Sequence, residues 1–281
     1  MTFEKIVSDI DSLPPLSNAA YIVQSMYLSG IDNINILRLV KVIESDAMLA
    51  ANILKMINAP YYGFSNKIAS VSQAVSLFGT KRIYGLIMHY AMQESLKADT
   101  SIYGFEESQF NDLCHLQSAL LMQWYSHVEL RDAQFLSSLA LIMESGKLVV
   151  AKEVVASDYC GEFRKGYNEC ESIQEYEKAL IGVTSYDISA LLFKHWNLEP
   201  LYIDILEALD NEEKYAKLDV KVQNYVHEID VIRTAINAKD ILSDSAIDKA
   251  AHKVMRMGQN SQIFKEIAYR VRDSYLTSLD S

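Results

Sequence analysis

Residues 46–63 read Asp-Ala-Met-Leu-Ala-Ala-Asn-Ile-Leu-Lys-Met-Ile-Asn-Ala-Pro-Tyr-Tyr-Gly. Asp46 carries the short oxygen-bearing side chain that accepts orphan N–H groups at a helix start. Behind it, apolar side chains take most of the circumference, interrupted by Asn52 and Lys55, so the predicted helix lies deep in the fold. Asn58 and Pro60 end it, because proline has no N–H to donate and its ring clashes with the preceding turn. The aromatic turn that follows closes on Gly63, a residue suited to a left-handed bend.

Upstream, Asn35 can cap a segment whose Ile36, Leu39, Val40 and Ile43 recur at i, i+3, i+4 and i+7, the stripe of a helix with one buried face. Downstream, Ser70 and Gln73 have the spacing of a capping box ahead of another apolar run, and Gly79 can close that helix. Thr80 can cap the next, with Ile83, Leu86, Ile87, Tyr90 and Ala91 on one face. Segments 114–128 and 135–154 read as long buried helices, with Ser145 and Gly146 a kink or break in the second. A polar loop is expected over 159–172. The last 80 or so residues hold three further helical patterns, the final one with Ile263, Phe264, Ile267, Ala268, Val271 and Tyr275 on a shared stripe. Four prolines, ten glycines and no sustained apolar/polar alternation leave an all-α fold as the expectation.

The 281 residues are 50% hydrophobic, 22% charged and 10% aromatic, a balance that excludes a disordered chain. A net charge of −11 disfavours DNA or an anionic membrane as partner. The three cysteines match neither a disulfide framework nor a zinc ribbon, and no run approaches eighteen uncharged apolar residues. The expectation is a cytoplasmic protein without a membrane span.

Much familiar chemistry is absent. There is no dinucleotide-binding or P-loop glycine pattern and no serine in a nucleophile elbow. Cys114 and His115 are neighbours, so on a helix their side chains diverge by about 100°. The six histidines never stand at i, i+4, and no His-Asp doublet occurs, so a metal site would need ligands from distant helices.

Two short patterns carry a resemblance. Asp46-Ala-Met-Leu49, Ile53-Leu54 and Asn58-Ala-Pro-Tyr-Tyr-Gly63 resemble the "D-P-x-L … L-L-x-x-x-N-S-x-x-Y-G" pattern of the HDOD family, bacterial relatives of the HD and HD-GYP phosphohydrolases. Ile68-Ala-Ser-Val-Ser-Gln-Ala-Val75 with Leu77-Phe-Gly79 is similar to that family's "I-S-S-I-S-Q-A-V-x-L-L-G", and Leu13-Pro-Pro-Leu16 to its opening. The resemblance covers roughly residues 6 to 205. It implies a multi-helix HDOD fold: an N-terminal helical half over 1–98, a degenerate HD-like half over 99–205, and a helical extension over 206–281 packed on the same body.

Where HD-type relatives show "L-L-H-D-I-G-K-L", this chain has Leu141-Ile-Met-Glu-Ser-Gly-Lys-Leu148, so Met143 and Glu144 stand for His and Asp. A thioether is a poor ligand for the ions that activate water. Glu177 through Gly182 and Ser185 to Trp196 is similar to "E-x-x-x-x-G-x-x-H-x-x-x-G-A … W", with Ser185 in place of histidine and Ser189 in place of glycine. The His-His pair of enzyme-like relatives is absent near Leu209 and Asp210. No catalytic residue, metal or cofactor is therefore expected, and His115, Met143, Glu144, Ser185 and Asp187 are the candidates for a vestigial pocket. Asp46, Asn58, Tyr62, Gly63, Gln73, Gly79, Gly146, Gly182 and Trp196 are motif residues with mainly structural roles. Asn58, Tyr61, Tyr62 and Phe64 could alternatively present a partner surface.

The resemblance implies a non-catalytic bacterial signalling module acting through protein partners, in motility or cyclic-dinucleotide signalling, with family-specific contacts placed on the helices after 205. The alternatives are a divergent phosphohydrolase using Glu144, Asp187 and His115 or His127, and a nucleotide sensor in the vestigial pocket with Lys147 or helix N-termini supplying positive charge.

Overall fold

The computed structural model describes residues 2–30, 34–157 and 159–279. In chain order the helices are α1 (Phe3–Asp11), α2 (Asn18–Leu28), α3 (Ile36–Glu44), α4 (Ala47–Ile57), α5 (Val71–Phe78), α6 (Thr80–Leu96), α7 (Glu107–Tyr125), α8 (Leu130–Ile142), α9 (Ser145–Val155), α10 (Cys160–Glu169), α11 (Ile173–Ile181), α12 (Ser185–His195), α13 (Pro200–Ala208), α14 (Glu212–Ala216), α15 (Val220–Ala235), α16 (Asp244–Arg256) and α17 (Ser261–Leu279). Short 3₁₀ turns occupy Pro60–Tyr62 and Thr100–Tyr103. The fold is all-α apart from a two-residue antiparallel pairing, β1 (Ile236–Asn237) with β2 (Asp240–Ile241).

Local signals set the helix ends. Asn35 Oδ1 accepts from Arg38 N at 3.0 Å and Asp46 Oδ1 from Leu49 N at 3.0 Å, as the sequence predicts. The Asn58 side chain does more than end α4: its amide donates to Leu54 O (2.7 Å) and Ile68 O (2.9 Å), and its Oδ1 accepts from Ile68 N (2.8 Å), clamping the aromatic turn. Gly63 has φ 76°, the left-handed bend predicted for it. Ser70 caps α5 as expected, but Gln73 Oε1 reaches back to Ala69 N (3.0 Å) rather than to the N-cap residue itself.

The chain folds as two compact units that interleave in sequence. The first comprises Met1–Pro15, Met92–Cys114 and Met143–Asp230; the second comprises Leu16–Ala91, His115–Ile142 and Val231–Ser281. Contiguous segments ending at 98 and 205 are therefore not the units that packing makes, because the unit boundaries fall inside α6 and α7. In the first unit α12 packs on α9, α13 and α1. In the second, α3 packs on α2, α4 and α5, while α17 covers α16 and the Pro60–Tyr62 turn. The last helix packs closely within this unit: Phe264 of α17 is fully buried against Trp124 (ring centroids 5.1 Å apart), and Tyr275 meets Tyr61 at 6.3 Å. Gln117 holds the small hairpin by donating to Ile236 O at 3.0 Å.

Four further local readings differ. α4 does not lie deep, since only Leu49, Ile53 and Ile57 are buried and Met48 is 71% exposed. The expected loop 159–172 contains α10, because Phe163 and Tyr167 stand four residues apart and both pack on Tyr103 (5.4 and 5.5 Å). The break in the 135–154 pattern falls at Met143–Glu144, immediately before Ser145. Thr80 is the first residue of α6 rather than its cap. The segment Leu130–Val155 is long and apolar enough to cross a membrane by length and composition, but 89% of its most apolar window is buried within the protein, as in a core helix.

Candidate functional site

Met143 and Glu144 stand outside helical geometry just ahead of α9, and here the first unit gathers side chains from α9, α11 and α12. Gly146 makes the approach feasible: a Cβ there would stand 1.9 Å from the Ser185 carbonyl oxygen. Ser189 completes the joint, its Oγ donating to Met143 O and accepting from Gly146 N, both at 2.7 Å. The serine that departs from the family glycine thus serves as a cap for the interrupted helix.

Glu144 and Lys147 lie one turn apart at this joint with side chains only 1% and 2% exposed, and Lys147 Nζ stands 2.7 Å from Glu144 Oε2. The ammonium also donates to Ser185 Oγ (2.8 Å) and lies 4.8 Å from the ring centroid of Tyr186. The Tyr186 hydroxyl donates to Glu144 Oε1 at 3.0 Å. A second carboxylate completes the network: Glu177 accepts from Ser185 N (2.7 Å) and from the Tyr103 hydroxyl (2.9 Å). Burial, followed by the Glu177 charge and hydrogen bond, pushes the Tyr103 phenol well above its usual range. Two buried carboxylates are tolerable only when paired and hydrogen-bonded, and here each has partners.

Of the pocket candidates, Met143, Glu144 and Ser185 meet in this way. Asp187 does not join them: its carboxylate accepts from Thr184 N and Oγ1, both at 2.9 Å, forming the capping box of α12. His115 belongs to the other unit, where the Tyr62 hydroxyl and its Nδ1 share a hydrogen bond of 2.8 Å and the His89 ring lies 4.9 Å away. Its Nε2 has no hydrogen-bond partner among the described residues, and burial, aided by His89, holds the imidazole well below its usual range. Cys114 is the residue of that pair in the first unit; burial drives its thiol well above the usual range, the Glu144 carboxylate adds to the effect and the Lys147 ammonium opposes it.

Tyr61 and Tyr62 are 3% and 7% exposed and belong to the core, whereas Asn58 and Phe64 are partly exposed. Gly79 has φ 83° and ψ 152°, a positive-φ linker between two helices, and Gly182 is the left-handed C-cap of α11. Trp196 Nε1 donates to Pro14 O (3.1 Å), tying the N-terminal segment to α12. Sequence reasoning missed Tyr103, Tyr186 and the direction of Lys147; the i, i+3 spacing of Glu144 and Lys147 was the available signal.

The HD resemblance implies a divalent metal, and the residues at this joint do not fit one. Glu144 is occupied by an ammonium and a phenol, Ser185 accepts from that ammonium, and the Met143 carbonyl is taken by Ser189. No group of three or more His, Cys, Asp or Glu side chains able to hold a metal occurs among the described residues.

Comparison with known proteins adds the following. The sequence model of the HDOD domain matches residues 13–211. None of the curated proteins matches the chain. Among solved structures, a candidate phosphohydrolase from Shewanella amazonensis SB2B is 14% identical, with 96% of this chain and 97% of that one covered and a TM-score of 0.69. A protein from Marinobacter aquaeolei VT8 described as a candidate signal transduction protein is 20% identical over 99% of this chain and 60% of that one, with a TM-score of 0.68. An HDOD domain protein of unknown function from Geobacter sulfurreducens is 14% identical over 98% and 93%, with a TM-score of 0.67.

Proposed function

The chain belongs to the HDOD domain family, and we propose that within it this protein is a non-catalytic cytoplasmic module that regulates a bacterial signalling pathway through contacts with protein partners. The observation that carries the reading is the donor set at this joint: Met143 and Ser185, a thioether and a hydroxyl, stand where the enzyme pattern has histidines, and the Ser185 hydroxyl accepts from Lys147 Nζ at 2.8 Å. A cation already fixed by covalent connection satisfies Glu144, and the neighbouring thioether and hydroxyl offer nothing to replace the lost imidazoles. The solved relative described as a candidate signal transduction protein supports a regulatory setting. Exposed apolar side chains support the partner reading: Leu37, Met48 and Leu77 are 76%, 71% and 54% exposed on α3, α4 and α5, helices that pack on one another. Motility or cyclic-dinucleotide signalling is the proposed setting, on the strength of the family resemblance.

Elemental analysis of protein purified without chelator, before and after incubation with manganese, iron and zinc, tests the reading together with a phosphodiesterase assay. The expected result is no stoichiometric metal and no turnover. One or two bound ions per chain, with turnover that disappears in Glu144→Ala, would overturn it in favour of a divergent phosphohydrolase.

A further inference from the structure

In the second unit, the junction between α5 and α6 gathers hydrogen-bond donors that have no acceptors among the described residues. α5 ends at Phe78, Gly79 turns the chain, and α6 begins at Thr80. Glycine has no side chain with which to cap. The first backbone bond of α6 runs from Ile83 N to Gly79 O (3.2 Å), which leaves the N–H groups of Thr80, Lys81 and Arg82 pointing out of the start of a 17-residue helix. The positive end of the helix dipole lies there too.

Arg82 is a second, independent observation. It is 7% exposed, its Nε has no partner, and no acidic side chain among the described residues pairs with it. Its guanidinium carbon lies 3.5 Å from the centroid of the Phe78 ring and 5.5 Å from that of Tyr62, so the charge rests on two aromatic rings, the nearer belonging to the residue that precedes Gly79. Burial lowers this guanidinium to about 10, with the Tyr62 hydroxyl opposing the change. A cation out of water without a counter-ion is costly, and an aromatic face offsets only part of that cost. Gln134 of α8 adds a further donor, its Nε2 lying 3.4 Å from where a Cβ on Gly79 would stand. Lys81, partly exposed, adds a second positive charge at the rim.

We propose that the α5–α6 junction is a binding site for the phosphoryl group of a small soluble molecule, held by the N–H groups of residues 80–82 and by Arg82 and Lys81. Two cations balance a phosphate dianion, and fanned N–H groups with a planar guanidinium serve three oxygens, where a carboxylate has two. The site shares no residue with the Glu144 network and does not depend on whether that network is catalytic.

The probe is inorganic phosphate added to the full chain at constant ionic strength, followed by ³¹P line width and by Tm. Saturable broadening and a rising Tm are expected, since a ligand bound only by the native state stabilises it. Lys81→Ala and Arg82→Met should each weaken binding by about tenfold, the loss of one charge-assisted hydrogen bond. Lys81→Ala alters a partly exposed side chain and keeps the fold, so the test survives even if Arg82→Met does not fold. The assignment is overturned if about 10 mM phosphate leaves line width and Tm unchanged, if Lys81→Ala binds as the parent does, or if acetate raises Tm equally.

Discussion

With side chains only 2% and 1% exposed, Lys147 and Glu144 form an ion pair that water does not screen. Removing one partner leaves the other buried and unpaired, so Lys147→Met should cost about 3–5 kcal/mol in urea unfolding, while Lys147→Met with Glu144→Leu should recover much of that loss. Two titrations also follow. His115 is held neutral in the fold, so its contribution to stability is complete above the unfolded-state value near 6.5 and is lost as pH falls from there toward the depressed native value. Cys114 behaves in the opposite sense: its raised native value makes its contribution complete below the unfolded-state value and lost as pH rises above it. Unfolding midpoints from pH 5 to about 10 should therefore fall at both ends, with the acid limb relieved in His115→Phe and the alkaline limb in Cys114→Ala. Glu144 was legible in the sequence through its alignment with a known pattern. Its partners Tyr186 and Lys147 were not read as such, and Tyr103 pairs with a residue 74 positions away, which no local spacing reveals.

The same contrast between local and distant causes governs the elements. Helix starts at Asn35, Asp46 and Ser70 were readable because one side chain and one nearby N–H decide each. α10 was not, since a run of charged and polar residues holds only two buried anchors, Phe163 and Tyr167, and their receiving surface is Tyr103. Phe163→Ala should lower stability by about 3–5 kcal/mol, as measured by chemical denaturation, a loss a surface loop would not show. The contact of α9 with α12 depends on the absence of a side chain at Gly146, where the obstacle to a Cβ is backbone. Gly146→Ala should cost about 1–3 kcal/mol or more through overpacking, and near-ultraviolet circular dichroism should register the displaced tyrosines.

For the molecule as a whole, the all-α class followed from composition and periodicity, but the division into units did not. Each unit draws on three separated segments, and nothing in a local pattern says which distant helices will pack together. Truncation tests this directly. A chain ending at residue 258 loses α17, and with it the cover of Trp124 and of the Pro60–Tyr62 turn. It should lose near-ultraviolet signal and a cooperative thermal transition, whereas an appended extension could be removed without either effect. Fragments cut at 98 or 205 should likewise fail to fold alone.

Interleaving also has a consequence in time. Tyr61 emerges early, but its partner Tyr275 is made more than two hundred positions later. At ribosomal speeds of about 5–20 residues per second, the early helices wait roughly 10–50 s for the segment that covers them. The first half of this chain therefore spends its youth with apolar faces bare, and its yield in a cell depends on what shields them until α17 arrives.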